Sequence, residues 1–197
     1  MSFHVLVIGG SYFLGRIFCT LASRLEDTEL TLVNRGRYPM NHLPRLTEYR
    51  CDRHDAAGLS RLPAAEYDAI VDFCAYSPGD IASLLENLPG TAKRYILLST
   101  ADVYARAPGG TKDEASSLLE APPAGAAGEY TWNKRLLEKE LEEICALRGM
   151  ESVSCGPPSS TGPIIMRLVK AGTSKRWCGG SRSPSPSTAR GSFRPCM

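Results

Sequence analysis

The chain of 197 residues has no apolar run long enough to cross a membrane. No signal segment is expected ahead of Gly9, so a cytoplasmic location is the expectation. The seven cysteines are odd in number and scattered, with no C-x-x-C pair. That argues against a disulfide framework or a zinc site and for a reducing compartment. Acidic residues are missing from one end. None of the 21 Asp and Glu falls between Cys155 and Met197, whereas seven of the 23 Lys and Arg do. The net charge of +2 therefore splits into an acidic body and a basic tail. What remains is globular in composition, 43% hydrophobic and 22% charged, and long enough for one domain with a real core.

One stretch organises that domain. His4-Val5-Leu6-Val7-Ile8 is an apolar run that breaks at Gly9-Gly10. Phe13, Leu14, Ile17, Phe18 and Leu21 follow at helical spacing. The pattern predicts strand, tight turn, helix. Glycines let such a turn approach a bound group closely, and the helix offers free N–H groups to a phosphate. The turn Gly9-Gly10-Ser11-Tyr12-Phe13-Leu14-Gly15 is read as the pyrophosphate site of a dinucleotide. Gly9 and Gly15 hold the first and last places of G-x-x-G-x-x-G, but the middle place lacks glycine and holds Tyr12. An ordinary strand-to-helix turn is the competing reading.

A second absence lies at the end of the next strand, Glu29–Asn34. An acidic residue there would bind the ribose hydroxyls of NAD. The chain has Asn34, followed by Arg35-Gly36-Arg37. A guanidinium pairs well with a 2′-phosphate, so NADP is favoured over NAD, with Arg35 the main partner. A solvated basic loop is the alternative, and it weighs most at Arg37.

Further along, Tyr49-Arg50-Cys51-Asp52 ends an extended segment, with Asp52 a candidate for the adenine side or a plain turn aspartate. Ala56–Leu62 reads as a short helix. Tyr67–Ala75 reads as one buried strand, Ile81–Leu88 as a helix and Tyr95–Thr100 as the next strand. Alternating strands and helices predict an α/β, Rossmann-like, doubly wound parallel sheet. Gly9, Asn34, Asp52, Ala75 and Thr100 then share its carboxyl edge, where ligands bind. Ala105–Glu129, rich in Gly, Pro, Ala and Ser, is expected to be a loop over the site.

Tyr130-Thr131-Trp132-Asn133-Lys134 opens a helical pattern carried on by Leu136, Leu137, Leu141 and Ile144. Tyr130 and Lys134, four apart, share one face. An ammonium beside the phenol would favour phenolate and suit Tyr130 to proton exchange with a substrate oxygen. Thr100 could bond the same oxygen. A half-buried tyrosine with a snorkelling lysine is the bland rival. Glu138 and its charged neighbours read as the polar side of this helix.

Three segments together, Gly9–Gly15, Ser99-Thr100-Ala101-Asp102-Val103-Tyr104 and Tyr130–Lys134, make residues 1 to about 150 resemble the extended short-chain dehydrogenase/reductase superfamily, in its NAD-dependent epimerase/dehydratase branch. The G-G-x-x-F-x-G turn is similar to an atypical branch of it. The resemblance implies a dinucleotide cofactor, Tyr130 as acid/base, Thr100 as the hydroxyl partner and Lys134 as the lysine that also meets the nicotinamide ribose. It implies a nucleotide sugar as substrate class. A homodimer stays open. Non-catalytic nucleic-acid binding, reported for some of the atypical branch, is the second reading.

The family pattern after this helix is R-P-x-x-I/V-Y-G-P, and the chain reads Cys155-Gly156-Pro157-Pro158-Ser159-Ser160-Thr161-Gly162-Pro163. Back-translation with free third bases, read out of frame from Cys155, allows R-P-A-F-I-Y-G-P. Residues 1–154 are therefore expected to be the dinucleotide-binding domain. Residues 155–197 are expected to be a frameshifted, irregular tail that replaces the next strand and the substrate region. A genuine basic tail is the alternative.

Overall fold

Val5 and Val7 face one way along the first strand, and Leu6 and Ile8 face the other, as the period of two requires. Both sets are buried, so this strand is central and covered on both faces. In the computed structural model, which describes residues 2–105 and 116–156 and the backbone of 177–178, it is β1 (Phe3–Ile8). The remaining strands are β2 (Thr28–Asn34), β3 (Leu46–Arg50), β4 (Glu66–Tyr67), β5 (Ala69–Asp72), β6 (Thr91–Ala92), β7 (Arg94–Leu98), β8 (Glu151–Gly156) and β9 (Trp177–Cys178). The helices are α1 (Phe13–Ala22), α2 (Ala56–Leu59), α3 (Asp80–Asn87) and α4 (Ala126–Arg148), with a 3₁₀ turn at Ala101–Val103.

The main sheet runs β3-β2-β1-β5-β7-β8-β9 and is parallel throughout, while β4 and β6 form a small parallel pair. This is the doubly wound α/β fold that the alternating pattern predicts. Strand order reverses between β1 and β5, and the crevice at that point is where such sheets take ligands. One face carries Val5, Val7, Leu30, Leu32 and Val71 against Phe18, Cys19 and Ala22 of α1. The other carries Leu6, Ile8, Ile70 and Leu97 against Ile81 and Leu84 of α3 and Leu137 and Leu141 of α4.

Helix α3 starts without a side-chain cap of its own. Its free amides are taken by α4: Glu140 Oε2 accepts from Gly79 N at 2.7 Å, and Oε1 from Ala82 N at 3.0 Å. A carboxylate at a helix N-terminus satisfies orphan donors and complements the dipole. The two helices over the site are thus held together by charge as well as by Leu84 and Leu137.

Three expectations change. The loop expected to run to Glu129 ends earlier, because α4 already begins at Ala126. The strand expected as Tyr67–Ala75 divides into β4 and β5, leaving Cys74 and Ala75 in the turn beyond it. The strand expected to be lost after α4 is present as β8, which pairs in parallel with β7 from Arg94↔Glu151 to Leu98↔Cys155. It runs through Cys155 and Gly156, across the expected boundary at Ser154. Short side chains let it pack: a Cβ on Gly156 would lie 2.8 Å from the Thr100 carbonyl carbon. Beyond Gly156 only the backbone of Trp177–Cys178 is described, so the expected irregular tail and the nucleic-acid reading built on it lie outside the described residues. Among the described residues no helix is long and apolar enough to cross a membrane.

Candidate functional site

The glycine turn is fixed by steric crowding. Gly9 has φ +77° and lies against Cys74, so a Cβ there would meet Cys74 Sγ at 2.6 Å. A Cβ on Gly10 would meet Val7, and one on Gly15 would meet Gly10 Cα at 2.7 Å. These three positions demand glycine. The middle place does not. Tyr12 has φ −132°, which any residue adopts, and its ring points out at 68% exposure. It stacks on Tyr38, with ring centroids 5.5 Å apart. Phe13 takes the strained left-handed φ of +44° as the helix begins. No side chain caps α1 and no acidic residue sits in its first turn. Its leading amides and positive dipole end are therefore available to an anion. Those residues fit a pyrophosphate.

At the end of β2, Asn34 is buried and spends both ends of its amide, one on β3 and one on the loop that follows. Nδ2 donates to Glu48 Oε1 at 2.7 Å, and Oδ1 accepts from Gly36 N at 2.5 Å. It shapes the loop that presents the exposed Arg35. The Asp52 pKa is lowered chiefly by the His54 amide, which donates to Asp52 Oδ1 at 3.0 Å, and least by the Arg35 charge. Arg35 and Asp52 thus share one corner of the carboxyl edge. Arg37 instead lies over the Tyr38 ring, 5.6 Å from its centroid.

Lys134 is the centre of the other half. Its side chain is 1% exposed, and Nζ donates to the carbonyls of Ala75 and Leu98, both at 2.7 Å. It lies 5.0 Å from the Tyr76 ring centroid and 5.8 Å from that of Tyr130. The structure therefore brings Ala75, Lys134 and Tyr130 together beyond β5 and β7. Thr100 caps the 3₁₀ turn, its Oγ1 accepting from Asp102 N at 3.3 Å, and Asp102 in turn acts on Tyr130. The expected phenolate is not found. Burial, with the Asp102 charge, raises the Tyr130 pKa above its ordinary value. Burial also pushes the Lys134 ammonium down, to about 8, so it still carries its charge at neutral pH. Glu138, expected on the polar side of α4, is buried at 3% exposure.

The low lysine pKa makes a stability prediction. Below pH 8 folded and unfolded chains both hold the proton. Between pH 8 and the ordinary lysine value of 10.5 the unfolded chain binds it and the folded chain does not. Stability should then rise with pH. From pH 7 to pH 9.5 the native chain is expected to gain about 2 kcal/mol relative to Lys134→Met, measured by urea unfolding. Parallel profiles for the two chains would contradict the low pKa.

Three residues escaped the sequence reading. Asp72 has no exposure, Arg53 is 6% exposed and Tyr95 is fully buried. Arg53 Nη1 reaches Asp72 Oδ2 at 2.8 Å and Oδ1 at 3.0 Å, and the Tyr95 hydroxyl donates to Asp72 Oδ2 at 2.5 Å. The available signal was Asp72 itself, a charge inside an apolar strand that must find a partner. Among the described residues no group of three His, Cys, Asp or Glu could hold a metal.

No protein-family model matches the chain. A search of curated proteins finds no match either. Solved structures do share its fold. A mutated uronate dehydrogenase superposes with a TM-score of 0.66 at 17% identity, over 92% of this chain and 75% of that one. UDP-N-acetylglucosamine 4-epimerase from Methanobrevibacter ruminantium gives 0.60 at 18% identity, over 80% and 55%. dTDP-glucose 4,6-dehydratase from Bacillus anthracis, solved with NAD, gives 0.61 at 16% identity, over 82% and 56%. The chain thus spans about half the length of the epimerase and the dehydratase. At such identities the likeness is one of fold: a Rossmann-like parallel sheet of the kind found in nucleotide-sugar epimerases, dehydratases and related dehydrogenases.

Proposed function

We propose that residues 1–154 form the dinucleotide-binding part of an NAD(P)-dependent epimerase, dehydratase or reductase, with a nucleotide sugar as substrate class and NADP favoured over NAD. The observation that carries this reading is Lys134, buried at the carboxyl edge of the sheet with its ammonium on two main-chain carbonyls and the Tyr130 ring beside it. The matched structures' names lend the chemical class. As part of the same proposal, the chain from Cys155 on is an out-of-frame translation, supported by the shifted reading given above.

The uncapped N-terminus of α1 would take the pyrophosphate, Arg35 a 2′-phosphate, and Lys134 the ribose hydroxyls beside the nicotinamide. When bound, the cofactor supplies or accepts a hydride at a substrate carbon. Tyr130, protonated at neutral pH, would give its proton to the substrate oxygen. In the reverse direction it takes the proton back. Thr100 Oγ1 bonds the same oxygen and orients it. Lys134 holds the phenol in place and stabilises the phenolate left after proton transfer.

Titration with NADPH and NADH, followed by cofactor fluorescence, tests the reading. NADPH is expected to bind about tenfold more tightly, since one charge-assisted pair contributes roughly 1.5 kcal/mol. Arg35→Ala is expected to erase the difference. Equal affinities in the unmutated chain would refute the NADP preference, and no binding of either would refute the dinucleotide site.

A further inference from the structure

Asp72 lies at the point where strand order reverses, and its buried carboxylate is met from three elements. Arg53 comes from the turn after β3, Tyr95 from β7, and the Cys74 amide donates to Oδ1 at 2.9 Å. The second arm of the guanidinium goes elsewhere: Arg53 Nη2 donates to the Asp80 carbonyl at 2.6 Å. Asp80 then closes the segment from its other end. Its Oδ2 accepts from the amides of Tyr76 at 2.8 Å and Ser77 at 3.0 Å, and its Oδ1 meets His54 Nε2 at 2.9 Å. The turn Cys74–Gly79 is thus clamped at both ends by bonds that converge on Arg53. Inside it, Ala75 presents the carbonyl that receives the Lys134 ammonium.

We infer that Arg53 is a positioning residue for Lys134, acting through Asp72, Asp80 and the Ala75 carbonyl. The inference rests on the dinucleotide reading above and adds to it the residue that sets where its lysine stands. A planar fork suits this place, with Nη1 on the Asp72 carboxylate and Nη2 on the Asp80 carbonyl. Lysine could hold Asp72 or the Asp80 carbonyl as a point charge, but its ammonium lacks the planar fork that spans both. From the guanidinium the bonds lead to Lys134; a side branch from Asp80 through the His54 ring to Asp52, beside Arg35, starts at the Asp80 carboxylate, whereas Arg53 holds the Asp80 carbonyl. Losing Arg53 should therefore damage the nicotinamide half of the site and spare the adenosine half.

The test compares NADPH with 2′,5′-ADP, which carries only the adenosine half, on the full chain. The first variant is Arg53→Lys. Because a lone buried carboxylate can unfold a protein, the second is Arg53→Met with Asp72→Asn, which leaves no unpaired charge, keeps an oxygen for the Cys74 amide and turns its NH2 toward the Tyr95 hydroxyl, which can accept. Both are expected to weaken NADPH about tenfold and 2′,5′-ADP less than twofold. In a Lys134→Met background the same changes are expected to add no further loss, since the two residues act in series. Equal weakening of both ligands, or full additivity with Lys134→Met, would overturn the inference and make Arg53 a general structural residue. An unmutated chain that binds neither ligand would instead refute the dinucleotide reading. In that case reductive methylation still decides the positioning step. Lys134, protected relative to surface Lys139 in the native chain, should become reactive in the double variant, and continued protection would overturn the inference.

Discussion

Asp72→Ala is expected to lower the unfolding free energy by about 3–5 kcal/mol. The substitution removes the carboxylate paired with the Arg53 guanidinium at 2.8 Å, where the two side chains are 5% and 0% exposed. It also strips the Tyr95 hydroxyl and the Cys74 amide of their acceptor. A buried donor left without a partner costs about 1–3 kcal/mol, and a buried charge costs more. Against a typical domain stability of about 5–15 kcal/mol the loss is roughly a fifth or more. Guanidinium chloride unfolding at pH 7 measures it. Asp72→Asn should cost less, since the amide oxygen still accepts, and pairing it with Arg53→Met should recover most of the loss. A cost below about 1 kcal/mol for Asp72→Ala would mean that water relieves the guanidinium.

That network shows where reading from sequence stops. The fold was legible because it is written in local periodicity. Val5 to Ile8 alternate faces yet are all apolar, which marks a central parallel strand. Phe18, Cys19 and Ala22 recur on one side of α1. The glycine turn was legible because crowding at Gly9, Gly10 and Gly15 admits no side chain. Tyr12 could not be judged in advance: its backbone is ordinary and its ring leaves the turn. Arg53 sits in a polar run, Asp52-Arg53-His54-Asp55, that looks like any exposed turn, and only the tertiary fold carries its guanidinium under β5. Burial of Lys134 and Glu138 on a helix rich in charge is likewise a tertiary effect. The same burial reverses the expected electrostatics at Tyr130, because desolvation acts on the phenol and on the lysine meant to tune it. β8 was missed because Ser152 and Ser154 interrupt its apolar pattern, although Val153 and Cys155, alternating with them, are buried and carry its packing.

In a chain whose reading frame is restored after Ser154, Tyr130→Phe is expected to reduce turnover of a nucleotide sugar by about 10²–10⁴-fold and to leave dinucleotide affinity within about twofold. The ring remains in the mutant, so its packing 6.4 Å from the Tyr76 ring and beside Lys134 is kept. Only the proton is lost. Its loss acts where charge develops on the substrate oxygen and hardly at all in the ground state, so kcat falls and binding does not. The raised pKa sets the direction in which the residue is best prepared. In the proposed role Tyr130 is a proton donor at pH 7, and the reaction that withdraws a proton from a substrate hydroxyl should accelerate with pH until the phenol or the Lys134 ammonium titrates. The chain with Cys155–Met197 as given is expected to bind the dinucleotide weakly and to turn over no nucleotide sugar, because differential binding of a transition state needs walls on both sides of the reacting carbon. Coding DNA and kinetics test this jointly. A frame change that yields no R-P-x-x-I-Y-G-P strand would refute the out-of-frame reading. Full activity of Tyr130→Phe would move the proton transfer to another group. Thr100 would be the first to examine, since its Oγ1 already bonds the Asp102 amide at the mouth of the site.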